Sequence, residues 1–220
     1  RDCTCDIEYL EVGERMAAAT SHISHISVAT YYRILLPDML VNFNQCLYLD
    51  GDIIVCDDIK PLCDIELSPN EYFAGVLTVM IQTARKTVQD NRKKILGIDD
   101  FDNYINAGVT LMNLKALRDN NCVEKMVSMV SKNFPVQDQD IINVIGYKNT
   151  KVIPPKYNAM PFIFNNKPDI YTVYRKEDIS DAKKNPCVIH YADKRKPWKY
   201  RNIPKADIWR VRYEELFAEM

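Results

Sequence analysis

The chain of 220 residues carries 29 Lys and Arg against 30 Asp and Glu, a net charge of −1, so no global electrostatic attraction draws it to nucleic acid. Its hydrophobic content of 47% and charged content of 27% are those of a globular chain able to bury a core. No apolar run approaches the roughly 18 residues needed to span a bilayer, and no signal-peptide pattern opens the sequence.

Residues 6–12 alternate as a strand does. Arg1 lies just before what reads as an interior strand, so N-terminal sequence is expected to be missing. Residues 14–20 read as a short helix or loop. Over residues 27–39, Thr30, Tyr31, Ile34 and Leu35 recur at helical spacing, with Pro37 near the end. Residues 46–49 (CLYL) read as a buried strand that delivers Asp50-Gly51-Asp52, and Ile53, Ile54 and Val55 follow at once. Burying a carboxylate beside such a strand is costly unless positive charge accompanies it. Two carboxylates at i and i+2 can share one side of extended backbone, and a divalent cation with oxygen ligands is the natural occupant. A polar turn that merely ends the strand is the alternative, because Asp-Gly is common in turns.

Residues 72–79 (YFAGVLTV) read as a second buried strand, and the basic stretch 82–98 as an exposed loop and helix. Residues 104–113 form a strand around a small Asn106-Ala107-Gly108 turn. Residues 122–133 place Val123, Met126, Val127 and Val130 on one helical face. A further helix starts at Asp138, where a carboxylate also caps free N–H groups. A short strand follows at 152–153, and 154–186, rich in Pro, Asn and aromatics, reads as an irregular substrate-side segment. Residues 187–191 form a strand ending on His190, and 209–217 an amphipathic helix whose stripe is most simply core packing. The seven cysteines are scattered and fit the reduced thiols of a cytoplasmic protein. Strands alternating with helices predict an α/β sandwich around a mostly parallel sheet. Ligands of such sheets sit beyond the carboxyl ends of the strands, where Asp50, Asp52, the Asn106-Ala107-Gly108 turn and His190 are all expected.

The segments HISVATYYRILLP, YLDGDIIV, INAGVTLMNLKALR, QDQDIINV, PPKYNAMP and VIHYADKRKPW, in this order, resemble family-eight retaining glycosyltransferases, the group of bacterial lipopolysaccharide galactosyl- and glucosyltransferases and glycogenin. The resemblance runs from Ile23 to Trp198. It implies a GT-A fold over one domain, 1–220, that lacks its N-terminal nucleotide-binding part, with 154–220 as its substrate-side segment and C-terminal helix. It implies transfer of glucose or galactose from a UDP-sugar to a glycan or glycolipid acceptor of lipopolysaccharide or capsule, with Mn²⁺, or Mg²⁺ in its place. The expected location is cytoplasmic, with peripheral contact at the inner face of the membrane as a secondary expectation.

Residue by residue, the resemblance makes Asp50, Asp52 and His190 metal ligands, the imidazole tipping preference from Mg²⁺ toward Mn²⁺. Lys196, His25 and Gly51 fall to the nucleotide and its phosphates, and Arg33, Asn106, Ala107, Asp138 and Asp140 to the donor sugar. Gln139 and Asp138 are the implied catalytic residues. A neutral glutamine is a poor nucleophile, which favours same-face attack with the leaving phosphate taking the acceptor proton. The chain departs from the pattern at Asp193, where part of the family has glycine. It departs again at Leu77-Thr78-Val79, where many relatives place an aspartate, which loosens the choice between glucose and galactose. Rival readings are a nucleotide-sugar hydrolase or nucleotidyltransferase sharing the metal site, and a non-catalytic relative that binds glycans or a partner.

Overall fold

The computed structural model describes residues 6–16, 27–165 and 168–218. Its strands are β1 (Cys46–Leu49), β2 (Ile53–Val55), β3 (Phe73–Leu77), β4 (Ile105–Met112), β5 (Thr150–Val152) and β6 (Val188–His190). Four make a mixed sheet in the order β1-β4-β3-β5. β4 runs against both its neighbours, and β3 runs parallel to β5. β2 leaves this sheet and pairs antiparallel with β6 as a separate ribbon. Helices flank the sheet, as the α/β pattern requires. The sheet expected to be mostly parallel is mixed: among the described residues three of the four strand pairs are antiparallel, and the parallel share is the β3–β5 pair and a bridge between Ala159 and Ile189.

β3 is buried along its whole length and β4 nearly so, which explains their almost unbroken apolar runs. The two strands keep register as far as Gly75 opposite Thr110, but Leu77 then pairs with Ile105. β4 therefore inserts extra residues opposite Val76, a bulge that contains Asn106, Ala107 and Gly108. A regular strand would put residues 105, 107, 109 and 111 on one face. Instead Ile105 and Ala107 pack into a core with Tyr31, Phe73 and Leu114. Val109 and Leu111 pack into a second core with Ala74, Val76 and Val188. The expected Asn-Ala-Gly turn is thus a bulge within one strand, the device that re-aims side chains beside functional sites.

The helical spacing read over 27–39 is real: Tyr31, Ile34 and Leu35 are buried on a 3₁₀ helix, Val28–Leu35, that continues into an α-turn, Leu36–Met39. Ser27 Oγ caps it by accepting from the Ala29 N–H at 3.2 Å. The helix Lys86–Leu96 stops at Gly97, whose φ of 71° supplies the left-handed cap.

Three further expectations change. Residues 6–12 are not a strand; Ile7 and Tyr9 are 74% and 91% exposed. An extended segment becomes a strand only where a neighbour takes its N–H and C=O groups, and no described strand lies alongside. The stretch 154–186 holds a regular helix, Lys176–Lys184, that sequence periodicity missed because only Ile179 and Ala182 are buried along it. The C-terminal helix, Ala206–Ala218, turns its aromatic stripe to the surface rather than the core, burying only Ala206. Trp198, Trp209, Tyr213 and Phe217 pack in series, with centroids 6.0, 5.1 and 4.5 Å apart.

Candidate active site

The Asp50-Gly51-Asp52 turn stands where the chain passes from the four-stranded sheet into the β2–β6 ribbon. Pairing of β1 with β4 carries Asp50 beside the bulge, its N–H donating to the Gly108 carbonyl at 2.8 Å. Pairing of Ile53 with His190 brings the imidazole to the same place, and the Tyr191 N–H closes the ribbon on the Asp52 carbonyl at 3.0 Å. His190 Nε2 lies 3.3 Å from Asp52 Oδ1 and 3.7 Å from Asp50 Oδ2. One ligand atom from each of the three residues lies within 4.8 Å of the others. The closeness depends on Gly108: a Cβ there would stand 2.1 Å from His190 Cε1 and 2.7 Å from Asp50 Oδ2.

Positive charge already converges on the carboxylates. Lys196 Nζ reaches Asp52 Oδ2 at 2.5 Å and donates to the Tyr191 carbonyl at 2.7 Å. Burial pushes the Asp52 carboxyl up, but His190 and then Lys196 outweigh it and hold its pKa down at about 2. Arg33, nearly fully buried, gives Nη2 to Asp50 Oδ1 at 2.7 Å and Nε to Asp138 Oδ2 at 2.9 Å. Its Nη1 donates to the Ala107 carbonyl at 2.7 Å, and its guanidinium lies 4.0 Å from the centre of the Tyr48 ring. Burial pushes the Asp138 carboxyl up, against the pull of Arg33 and the Thr30 hydroxyl.

The donor set fits a divalent cation. Two carboxylates suit Mg²⁺ or Mn²⁺, and an imidazole adds affinity for transition metals. With two acidic oxygens before it, His190 Nε2 needs a proton or a shared cation there.

The helix Gln137–Ile145 supplies the second half of the site. Gln139 Oε1 accepts from Asn106 Nδ2 at 3.0 Å and from the Ala107 N–H at 3.3 Å. Asp140 is fully buried; Arg92 Nη2 reaches both its oxygens, at 2.7 and 2.8 Å, and the Tyr104 hydroxyl donates at 2.5 Å. Asn143, one turn beyond Gln139, accepts from the Ile105 N–H at 2.7 Å and donates to the Ile105 carbonyl at 2.9 Å.

The structure therefore gathers Asp50, Asp52, His190, Lys196, Arg33, Asn106, Ala107, Asp138, Gln139 and Asp140 around one place. Gly51 is exposed at the tip of the acidic turn. His25 lies outside the described residues. Asp193 is exposed. Sequence reasoning gave no role to Thr30, Tyr48, Arg92, Tyr104, Asn143 or Asn158. Of these, only Asn143 carried a local signal, a polar residue four positions after Gln139 on one helical face.

Fold and site together define a GT-A domain with an acidic–imidazole cluster able to hold a divalent cation. The solved galactosyltransferase LgtC, in complex with donor and acceptor sugar analogues, superposes with a TM-score of 0.72 at 27% identity over 90% of this chain and 70% of its own. The bifunctional glycosyltransferase WbbM shares the fold, with a TM-score of 0.69 at 24% identity over 84% of this chain and 35% of its own. The chain belongs to glycosyl transferase family 8, whose profile matches residues 4–202. It is 27% identical to general stress protein A of Bacillus subtilis over 199 residues, 87% of this chain and 66% of that protein. It is 30% identical to the lipopolysaccharide 1,2-glucosyltransferase of Escherichia coli over 194 residues, 84% of this chain and 54% of that protein. The chain thus spans between about half and two thirds of the length of these curated relatives. Among the described residues, no helix is long and apolar enough to cross a membrane.

Proposed function

We propose that this chain carries the catalytic centre of a retaining hexosyltransferase that moves glucose or galactose from a UDP-sugar to a hydroxyl of a glycan or glycolipid acceptor. The observation that carries the reading is the convergence of Asp50, Asp52 and His190 on one point, with Lys196 beside them. A divalent cation, Mn²⁺ in the first instance, would be held by those three residues and would supply the Lewis acidity that stabilises a departing diphosphate. Lys196, released from Asp52, carries a compact positive charge to the phosphate oxygens. Gln139 turns its amide carbonyl toward the bulge that carries Asn106 and Ala107. There it stabilises positive charge developing at the anomeric carbon. Asp138, oriented by Arg33 and Thr30, hydrogen-bonds donor hydroxyls. The acceptor attacks from the face the leaving group vacates, and its proton passes to the leaving phosphate oxygen. Surface-glycan synthesis, on the cytoplasmic side and in peripheral contact with the membrane, is the setting in which such an acceptor would be met.

A donor screen by mass spectrometry tests the reading, with Mn²⁺ or excess chelator and a panel of sugar acceptors. Hexose transfer that requires the metal is the expected result. Transfer from none of the UDP-hexoses refutes it, and free hexose released equally with or without acceptor makes the chain a hydrolase instead.

A further inference from the structure

Asn158, in the PPKYNAMP segment, is fully buried and belongs to neither the acidic turn nor the helix that bears Gln139. The turn that carries it, Pro155–Asn158, is stitched onto β6. The Ala159 N–H donates to the Val188 carbonyl at 2.7 Å, and the His190 N–H to the Ala159 carbonyl at 3.2 Å. This seam sets the Asn158 amide against the imidazole, its Oδ1 2.9 Å from His190 Nδ1.

Which amide atom faces the ring follows from the chain of bonds behind it. The Gly108 N–H can only donate, and it donates to Asn106 Oδ1 at 3.1 Å. Asn106 therefore presents an acceptor on that side, while its Nδ2 is given to Gln139. Asn158 meets the same Asn106 oxygen at 2.9 Å and must do so through Nδ2. Its own oxygen is left for His190, and only a protonated Nδ1 satisfies an amide oxygen.

We propose that Asn158 is the positioning residue that keeps the proton of His190 on Nδ1 and so dedicates Nε2 to the metal. This rests on the metal reading of the cluster and deepens it. A ligating histidine is ordinarily oriented through its other ring nitrogen by a carboxylate or carbonyl oxygen, and here a side-chain amide takes that role. The backbone N–H of Gly108 fixes the direction of the relay, so a bond made in the bulge of β4 decides that the nitrogen facing away from Asp50 and Asp52 holds a proton.

The test reads the ring directly. The chain has three histidines, and comparison with His190→Ala identifies the His190 resonances in ¹⁵N-labelled protein. In the metal-free wild type, Nδ1 carries a proton, with or without a second on Nε2 where it faces the carboxylates. A bare Nδ1 with the proton on Nε2 overturns the inference, whatever any variant does. Asn158→Leu keeps the volume but removes the acceptor; its Nδ1 signal should lose the fixed-proton signature, and Mn²⁺ affinity by titration calorimetry should fall about 10- to 100-fold. Asn158→Asp restores an acceptor and should restore the signature, which a packing role would not predict. Unchanged ring signals and unchanged Mn²⁺ affinity in Asn158→Leu also overturn it. Wild-type protein that takes up no Mn²⁺ while Nδ1 still bears its proton defeats the metal reading instead, and with it the purpose assigned to Asn158.

Discussion

Replacing Gly108 with alanine tests the site at its tightest point. The added methyl would stand 2.1 Å from His190 Cε1, 2.7 Å from Asp50 Oδ2 and 2.8 Å from His190 Nδ1. Carbon contacts are comfortable only beyond about 3.5 Å, so the ring or the strand must retreat by roughly 1.4 Å. The ring has no free direction, with Asn158 at Nδ1 and Asp52 at Nε2. Overpacking of this kind costs about 1–3 kcal/mol, which for a chain of this size lowers the melting temperature by roughly 2–12 °C. Metal–ligand distances tolerate only about 0.2 Å, so Mn²⁺ affinity should drop at least about tenfold. Titration calorimetry with Mn²⁺ and thermal unfolding of the metal-free protein read the two effects separately. The control for added bulk is Gly51→Ala, where a new Cβ meets nothing within 4 Å; its melting temperature should match the wild type. In a His190→Ala background the contact with the ring is gone and only that with Asp50 Oδ2 remains, so the thermal cost of Gly108→Ala should shrink there, a coupling that distant sites would not show. Wild-type Mn²⁺ affinity in Gly108→Ala, or a thermal cost that adds undiminished to that of His190→Ala, would refute the close-packing argument.

Asp52→Asn should abolish metal-dependent transfer in a radiolabelled UDP-hexose assay while unfolding stays cooperative. The same residue sets an acid dependence. Its folded pKa of about 2 lies below the ordinary 3.8, so its stabilising contribution is complete above 3.8 and is lost as the pH falls toward 2. That contribution is about 2 kcal/mol, and urea titrations of the metal-free protein in that range should show it in the wild type but not in Asp52→Asn. Arg92→Met strands the buried Asp140 carboxylate with only the Tyr104 hydroxyl and the Val136 N–H; guanidinium unfolding should show a loss of about 3–5 kcal/mol. Gln139→Ala should lower kcat more than it weakens UDP-sugar binding. Steady-state kinetics with a binding titration separates the two, and a loss confined to affinity removes its electrostatic role.

The acidic turn was legible because apolar residues on both sides leave Asp50 and Asp52 no ordinary place in a core. The helix from Gln137 was legible because its acidic first turn precedes an apolar face. What escaped the sequence depends on register. Arg33 meets the Ala107 carbonyl 74 positions away, and Asn158 meets His190 across 32; no local pattern encodes such meetings. Asn106-Ala107-Gly108 has the composition of a turn, and only the β3 partner reveals a bulge. The aromatic stripe of the C-terminal helix shows the converse error. A four-residue spacing of rings has the same sequence signature whether it faces a core or stacks on itself in solvent.

The bulge also explains why so many uncharged polar side chains are buried here. The bulge takes backbone groups at Ala107 and Gly108 out of the ladder, and the groups of Ile105, at its edge, also lie outside it; each must find another partner. Asn143 takes both groups of Ile105, Gln139 takes the Ala107 N–H, Arg33 and Thr110 share the Ala107 carbonyl, and Asn106 takes the Gly108 N–H. A straight β4 would satisfy its own ladder and leave the buried Asn143 and Gln139 without those bonds, at about 1–3 kcal/mol for each unsatisfied group. A bulge without them would strand the backbone at a similar cost. The distortion and the polar residues therefore stabilise one another. The same side chains that repair the strand are thereby held beside the acidic–imidazole cluster, which is the preorganisation that charge-stabilising catalysis needs.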